Sequence, residues 1–327
     1  MDLVVGSTGQ LGLALVRQLT ASGRSVRAFA RRGSPFGPLA DTGAEIVWGD
    51  LRDAESVEAA VGDVDVVFAT ANIIAPRQGD TYPGERSGYQ YLVQAARQAG
   101  VQRLVFPSVP PTERESKVAQ FATKRQIEKD ITDSGVPYTI LRIAPFMESW
   151  LALPGSSIPL RGEVNPTLDR PYRFMQQYRR RTGQTIERDG RMTVAGSAEI
   201  RHAFISLHDV ARIMICASRS DLTRNVTCNL GGPEVFTWSE IAAVYSRVLG
   251  REVKVTTLPG GAFRVAQLLM RPFAPAASNI MGLNWLSADV QTPWTTADSA
   301  LAGCIPNDLV RVEDFLAAKA LLPAVPS

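Results

Sequence analysis

A chain of 327 residues with 45% hydrophobic content can bury a substantial core, as one large α/β unit or as two domains. Its 35 Lys and Arg against 32 Asp and Glu leave a net charge of +3, too balanced to call for nucleic acid or an acidic membrane as partner. The three cysteines, Cys216, Cys228 and Cys304, show no CxxC and no histidine in ligand spacing, which argues against a metal site or a disulfide framework and fits a reducing compartment.

Leu3 to Val5 read as a short buried strand. Gly6, Gly9 and Gly12 follow at three-residue spacing, and Leu13 to Leu19 carry a helical apolar pattern. Strand, glycine turn, helix is the context of a dinucleotide-binding turn. There the glycines let the backbone approach a pyrophosphate, and the helix N-terminus offers it free N–H groups and positive dipole. Ser25 to Ala30 is the second strand, ending in Arg31 and Arg32. An acidic residue at this place holds the ribose 2′-hydroxyl of NAD, whereas arginines suit a 2′-phosphate, so the expected cofactor is NADP(H) in preference to NAD(H).

Gly33 to Gly43 read as a loop, Glu45 to Trp48 as a third strand, and Asp53 as the N-cap of a helix running to Val61. Val64 to Ala69 is the fourth strand. Strand C-termini face the cofactor crevice in a doubly wound sheet, which makes Asp50, Thr70 and Asn72 candidate lining residues. A helix over Pro83–Ala99, a strand over Leu104–Ser108, a helix over Lys117–Ser134 and a strand over Tyr138–Ile143 complete the alternation, so a parallel sheet with helices on both faces is expected. Residues 151–200 are rich in Pro, Gly and Arg and show no clear order, and Arg179-Arg180-Arg181 reads as a solvated face. Regularity returns with a strand at His202–Ser206, a helix at His208–Cys216, a strand at Thr227–Leu230, a helix capped by Thr237, and a strand at Val253–Leu258. Gly261 to Met270, with Phe273, Met281 and Trp285, forms either the wall of an apolar cavity or a helical subdomain core.

With these pieces placed, the sequence resembles the atypical short-chain dehydrogenase/reductases, and among them the NmrA-like group. The residues carrying the resemblance are Gly6-Ser-Thr-Gly-Gln-Leu-Gly12, Gly49-Asp50-Leu51, the strand ending at Ser108, Lys124, Pro137-Tyr-Thr-Ile-Leu-Arg142, Pro145-Phe-Met-Glu148 and His202-Ala-Phe-Ile-Ser-Leu-His-Asp-Val-Ala211. The resemblance implies a Rossmann-type doubly wound domain over 1–150 that binds NADP(H). It also implies a smaller C-terminal α/β substrate subdomain over 151–327, with 201–235 packing back onto the first. Carried over by position, Gly6, Thr8, Gly9, Gln10, Leu11 and Gly12 surround the pyrophosphate, and Arg31 with Arg32 take the 2′-phosphate. Asp50 and Leu51 flank the adenine, Thr70, Ala71 and Asn72 lie along ribose and phosphates, and Pro145, Phe146 and Met147 lie near the nicotinamide.

One departure bears on chemistry. The wider superfamily uses a Tyr-x-x-x-Lys pair; here Lys124 holds the lysine place but Gln120 stands where the tyrosine should be, and glutamine gives up no proton near neutral pH. Lys124 is therefore the candidate proton donor and ribose ligand, with Ser108 a second candidate for substrate contact. His202 and His208 fall in a segment that is structural in the family. Asp209 reads as an early-helix acid favoured by the helix dipole. Tyr82, Tyr89 and Tyr172 are alternative acids. Two functions stay open: an NADPH-dependent reductase of a small conjugated, quinone-like or imine substrate, or a non-catalytic NADP(H)-binding regulator of a protein partner. A homodimer is compatible with either. With no usual signal peptide and no apolar run of membrane-spanning length, the expected location is the cytoplasm.

Overall fold

The computed structural model describes residues 1–74, 79–169, 173–295 and 299–323. Seven strands form one sheet: β1 (Asp2–Val5), β2 (Val26–Ala30), β3 (Glu45–Trp48), β4 (Val66–Ala69), β5 (Arg103–Ser108), β6 (Tyr138–Ile143) and β7 (Val226–Leu230). Their order is β3-β2-β1-β4-β5-β6-β7, and every pairing is parallel. Parallel strands need crossovers, which put helices on both faces, so Leu3, Val4, Val5, Val67, Phe68 and Ala69 are fully buried. The strand order reverses between β1 and β4, and this switch point opens a crevice at the strand C-termini.

On one face lie α1 (Gln10–Ala21) and the later helix Leu207–Ala217, joined through Leu13, Leu15, Leu19, Val210, Ile213 and Met214. On the other, α2 (Ala54–Val61), α3 (Tyr82–Gln98) and α4 (Ala119–Asp133) pack through Val57, Tyr89, Leu92 and Ile127. The Asp53 carboxylate accepts from Glu55 N and caps α2. The helix expected over 117–134 is shorter: a 3₁₀ turn at Glu115–Lys117 precedes it, and extended Val118 separates the two.

A disulfide joins Cys216, at the end of the helix Leu207–Ala217, to Cys304. This overturns the expectation of unpaired thiols. A sequence separation of 88 hides a pairing that arises because the chain returns across the same face, bringing their Cα atoms to 5.4 Å. Cys228 is buried in β7 and takes no part in a disulfide.

The C-terminal elements build a second core from Met147, Leu151, Ile186, Phe204, Trp238, Tyr245 and Phe315. Arg191–Ala195 runs parallel to Lys254–Leu258, which orders part of the stretch the sequence left unresolved. The strand expected at 202–206 is only Arg201–His202, paired antiparallel with Phe236–Thr237. Thr237 and Glu240 form a full capping box on the helix Trp238–Leu249. Arg179, Arg180 and Arg181 lie in the last turn of the helix Arg173–Thr182, where cations complement its dipole. Helices Gly260–Met270 and Pro275–Ser287 pack on each other as a hairpin.

Candidate active site

A single cavity of about 1190 Å³ runs along the strand C-termini from the glycine turn to the helix Pro275–Ser287. At its floor, Gly6 leaves β1 with φ +82°, and a Cβ there would meet Ala71 N at 2.7 Å. A Cβ on Gly12 would meet Gly6 O at 2.3 Å, so strand, turn and helix close on one another without room for a side chain. Ser7 Oγ donates to Phe29 O and Thr70 Oγ1 to Val5 O, tying the turn to β2 and β4. Gly9 caps α1 with no side chain over the helix start, and the first turn carries no acid. Gln10 Nε2 is buried without a hydrogen-bond partner, while its Oε1 accepts from Thr167 N at 2.9 Å. A helix start left open, glycine-lined and free of negative charge fits a dinucleotide pyrophosphate.

Arg31 and Arg32 stand at the end of β2, and Arg52 joins them at the mouth of the cavity. Arg31 pairs with Asp80 at 2.7 Å, and Arg52 pairs with Asp50 at 2.6 Å. Sequence reasoning missed Arg52; its nearness to Asp50 and to the end of β2 was the available signal. Arg31, Arg32 and Arg52 thus gather three guanidiniums at the mouth, among the carboxylates of Asp50, Asp53 and Asp80.

Deeper in, Lys124 is 2% exposed, yet its ammonium has no hydrogen bond or ion pair among the described residues. It sits 4.4 Å from the Phe106 ring centroid and 5.7 Å from that of Tyr89. Burial pulls its pKa below the usual lysine value, opposed by the charges of Glu85 and Glu128. Glu85 also lines the cavity, and one of its carboxylate oxygens is buried without a partner. Burial raises its pKa, with Lys124 and the Ile73 N–H opposing.

Gln120, in the place of the missing tyrosine, has a bridging job. Its Nε2 donates to Asn72 Oδ1 at 3.3 Å, and its Oε1 accepts from Asn279 Nδ2 at 3.1 Å. It thus links the end of β4 to the helix Pro275–Ser287, a role readable only when both ends are in place. Ser108 lines the cavity, but its hydroxyl donates to Glu128, which also holds Arg125 and Arg142. Its proton is engaged away from any substrate.

The far end is apolar, walled by Trp150, Leu153, Leu168, Ile280, Leu283 and Leu286. Of the two readings of the segment with Phe273, Met281 and Trp285, the structure favours a packed helical subdomain over a cavity wall, for none of the three lines the cavity: Phe273 is 88% exposed, and the guanidiniums of Arg114 and Arg264 lie on the Trp285 ring. The hairpin presents Ile280 and Leu283 inward instead. Pro145 and Phe146 line the cavity, whereas Met147 is fully buried in the second core beside Leu151 and Ile158. The other expected cofactor residues, Gly6, Thr8, Gly9, Gln10, Leu11, Gly12, Arg31, Arg32, Asp50, Leu51, Thr70, Ala71, Asn72 and Lys124, all lie on its wall.

His202, read as structural, lines the cavity beside Trp150 and Thr292. Its Nδ1 is 2.9 Å from Thr292 Oγ1, its Nε2 has no partner, and burial pushes its pKa down to about 4, keeping it neutral. The tyrosine alternatives do not offer an acid. Tyr89 donates to Ala69 O and Ala71 O, burial raises its pKa well above the usual value, and Tyr82 does not reach the cavity wall. Tyr172 lies outside the described residues. Glu148 lines the cavity too, accepts from Ser206 Oγ and Leu207 N, and is pushed up to about 7 by burial. Glu148, Glu163 and His208 come within ligating distance of one another, but Lys319 already holds Glu163 at 2.5 Å, and the cluster reads as an ion-pair network. Asp209 accepts from Val310 N as well as facing Arg212.

Fold and cavity together define a dinucleotide-binding α/β protein of the Rossmann type. A family model, the NmrA-like family, matches residues 3–287, and the chain belongs to that family. It is 27% identical over 323 residues to the chloroplastic protein High Chlorophyll Fluorescence Phenotype 244 of Arabidopsis thaliana, covering 96% of this chain and 73% of that one. It is 26% identical to the photosystem II assembly factor Ycf39 of Cyanophora paradoxa, over 79% and 71% of the two chains. It is 30% identical to a (4-alkanoyl-5-oxo-2,5-dihydrofuran-3-yl)methyl phosphate reductase of Streptomyces griseus, over 83% and 82%. Among solved structures, the NADPH complex of the quinone oxidoreductase QOR2 from Escherichia coli is similar in fold, with a TM-score of 0.70 at 18% identity over 97% and 99% of the two chains. The relatives include reductases and assembly factors, and one is chloroplastic, so they do not bear out the expected cytoplasmic location. No described helix is long and apolar enough to cross a membrane.

Proposed function

We propose that the chain is an NADPH-dependent reductase of a small conjugated substrate with quinone-like, enone or imine character. The observation carrying this reading is Lys124, a side chain 2% exposed that lines the cavity with no hydrogen bond or ion pair among the described residues, where the dinucleotide crevice opens into an apolar chamber. An ammonium on the cavity wall with no polar contact from the described residues is free to take a ligand hydroxyl or a developing anion as its partner. When bound, the dinucleotide supplies the hydride. The chain's residues do the rest. The turn at Gly6, Gly9 and Gly12 receives the pyrophosphate, and Arg31, Arg32 and Arg52 take the 2′-phosphate, which favours NADP(H) over NAD(H). Leu153, Leu168, Ile280 and Leu283 exclude water and accept a flat apolar ring. Lys124 donates a proton to the anion that forms on reduction of a conjugated acceptor, a step that needs no tyrosine. Steady-state NADPH oxidation against a panel of quinones, enones and imines tests the reading. Tight NADPH binding with no turnover of any of them overturns it.

A second reading, a non-catalytic NADP(H)-binding regulator of a protein partner, is favoured by the likeness to Ycf39. Co-purification with and without NADPH separates the two, since a regulator captures its partner in a cofactor-dependent way and oxidises no NADPH.

A further inference from the structure

An amphipathic helix in a globular protein turns its apolar stripe to the core and its polar side to water. The helix Gly260–Met270 does the reverse. Val265, Leu268 and Leu269 stand at i, i+3 and i+4 on one face. Phe273 carries that face past the helix end, where its N–H bonds back to Met270 O at 3.1 Å. All four side chains are at least half exposed. The buried residue of the helix is Gln267, whose Nε2 donates to Lys117 O at 3.1 Å and whose Oε1 accepts from Arg264 at 2.6 Å. Ser278 Oγ donates to Gln267 O at 2.8 Å and ties the second helix, Pro275–Ser287, to the same polar side. The hairpin is thus fastened through hydrogen bonds on its inner side while a contiguous apolar stripe faces water, which marks a surface that another body covers.

Charge identifies the occupant. Between Glu252 and Asp289 the chain carries Lys254, Arg264 and Arg271 and no Asp or Glu, a local imbalance that the net charge of +3 over 327 residues conceals. Arg264 and Arg271 are seven residues apart and so lie two turns from each other along one flank of the apolar stripe. Arg264 stacks on the Trp285 ring, and Arg271 is exposed with no ion pair among the described residues. A second copy of the chain on this face would set arginine against arginine, since a two-fold interface joins a patch to itself and this one holds no carboxylate. An anionic bilayer supplies both halves of the match: headgroup phosphates for the arginines, and an acyl boundary for Val265, Leu268, Leu269 and Phe273. We propose that this hairpin face is a docking surface for an anionic lipid membrane, with the helix Gly260–Met270 lying flat and its apolar stripe in the headgroup–acyl boundary. The chain lies on the bilayer without spanning it, and the other helix of the hairpin turns Ile280 and Leu283 into the cavity behind. The proposal goes beyond the reductase reading and does not depend on it, because docking is measured without NADPH or substrate.

Co-sedimentation of the full chain with lipid vesicles tests this. Equimolar phosphatidylcholine and phosphatidylglycerol should carry the protein down, phosphatidylcholine alone should carry far less, and added salt should weaken the binding. Arg271→Gln should weaken it about fivefold, the share of one cation near an anionic surface. Leu268→Glu together with Leu269→Glu should weaken it by roughly tenfold or more, since both carboxylates would have to enter an apolar and anionic boundary. These positions are exposed, so thermal unfolding of each variant should match the wild type. Should the double variant fail to fold, Phe273→Ser, at the most exposed of the four positions, takes its place and should also weaken binding. No binding to the anionic vesicles overturns the proposal, as does binding that these substitutions leave intact or that phosphatidylcholine alone supports equally well. A concentration-dependent dimer in light scattering that the same substitutions dissolve, with no vesicle binding, overturns it in favour of a contact between copies.

Discussion

Gly12→Ala tests whether the glycine turn works by close approach. A Cβ at position 12 would stand 2.3 Å from Gly6 O, 2.9 Å from Gly6 C and 3.0 Å from Ser7 Cα, all backbone atoms with no side chain to swing away. The turn has to open for the methyl to fit. The Gly9 N–H bond to Gly6 O, 2.9 Å in the structure, is weakened in the process. Overpacking of this kind costs about 1–3 kcal/mol, and the hydrogen bond adds about 1 kcal/mol. A total near 3 kcal/mol lowers Tm by roughly 4 °C for a chain of this size. Displaced N–H groups should also weaken NADPH by roughly tenfold or more, the loss expected for one charge-assisted hydrogen bond. Gly23→Ala is the control. Gly23 has φ +77° but open space around its Cβ position, so it should cost about 1 kcal/mol through backbone conformation and leave NADPH affinity unchanged. Thermal unfolding and NADPH fluorescence titration read both quantities. A Gly12→Ala protein with wild-type Tm and wild-type NADPH affinity would refute the close-approach argument.

Three further outcomes follow from the geometry. Arg31→Ala should weaken NADPH by about 2 kcal/mol, the worth of a charged hydrogen bond, and leave NADH nearly untouched in parallel titrations; equal losses would mean that Arg31 does not reach the 2′-phosphate. His202 is held neutral with a pKa of about 4 against the ordinary 6.5, so the unfolded chain binds its proton first as pH falls. Stability contributed by the neutral ring is present above pH 6.5 and lost as pH drops toward 4, about 3 kcal/mol over that window. Urea melts of His202→Gln should show a flatter acid limb than wild type, and identical limbs would contradict the burial argument. Cys216→Ser removes a cross-link that closes 88 residues and should cost about 2–4 kcal/mol, seen also on adding reductant to the wild type but not to the variant.

The sheet was legible because its signals are local. Leu3 to Val5 and Val66 to Ala69 are buried on both faces and read as apolar runs, Gly6 and Gly12 announce the turn, and Asp53 marks a helix start by its short side chain. Most of the residues expected to hold a cofactor line one cavity, since strand C-termini in a doubly wound sheet share one crevice wherever the intervening helices run. Met147 failed for a local reason, because a one-residue step along a bend sends neighbouring side chains to opposite sides of the backbone. What tertiary structure alone decided involves partners far apart in sequence. Gln120 is a bridge only because Asn72 and Asn279 come to either side of it, and Cys216 finds Cys304 only after the chain crosses back. Lys124 and Glu85 sit on different helices, and neither's surroundings can be read from its neighbours in sequence. Sequence alone determined that the glycine turn exists and that the tyrosine is missing. The burial that leaves Lys124 without a hydrogen-bond partner among the described residues, and one oxygen of Glu85 buried beside the same cavity, is a property of the packed chain, because desolvation depends on everything that folds around a charge.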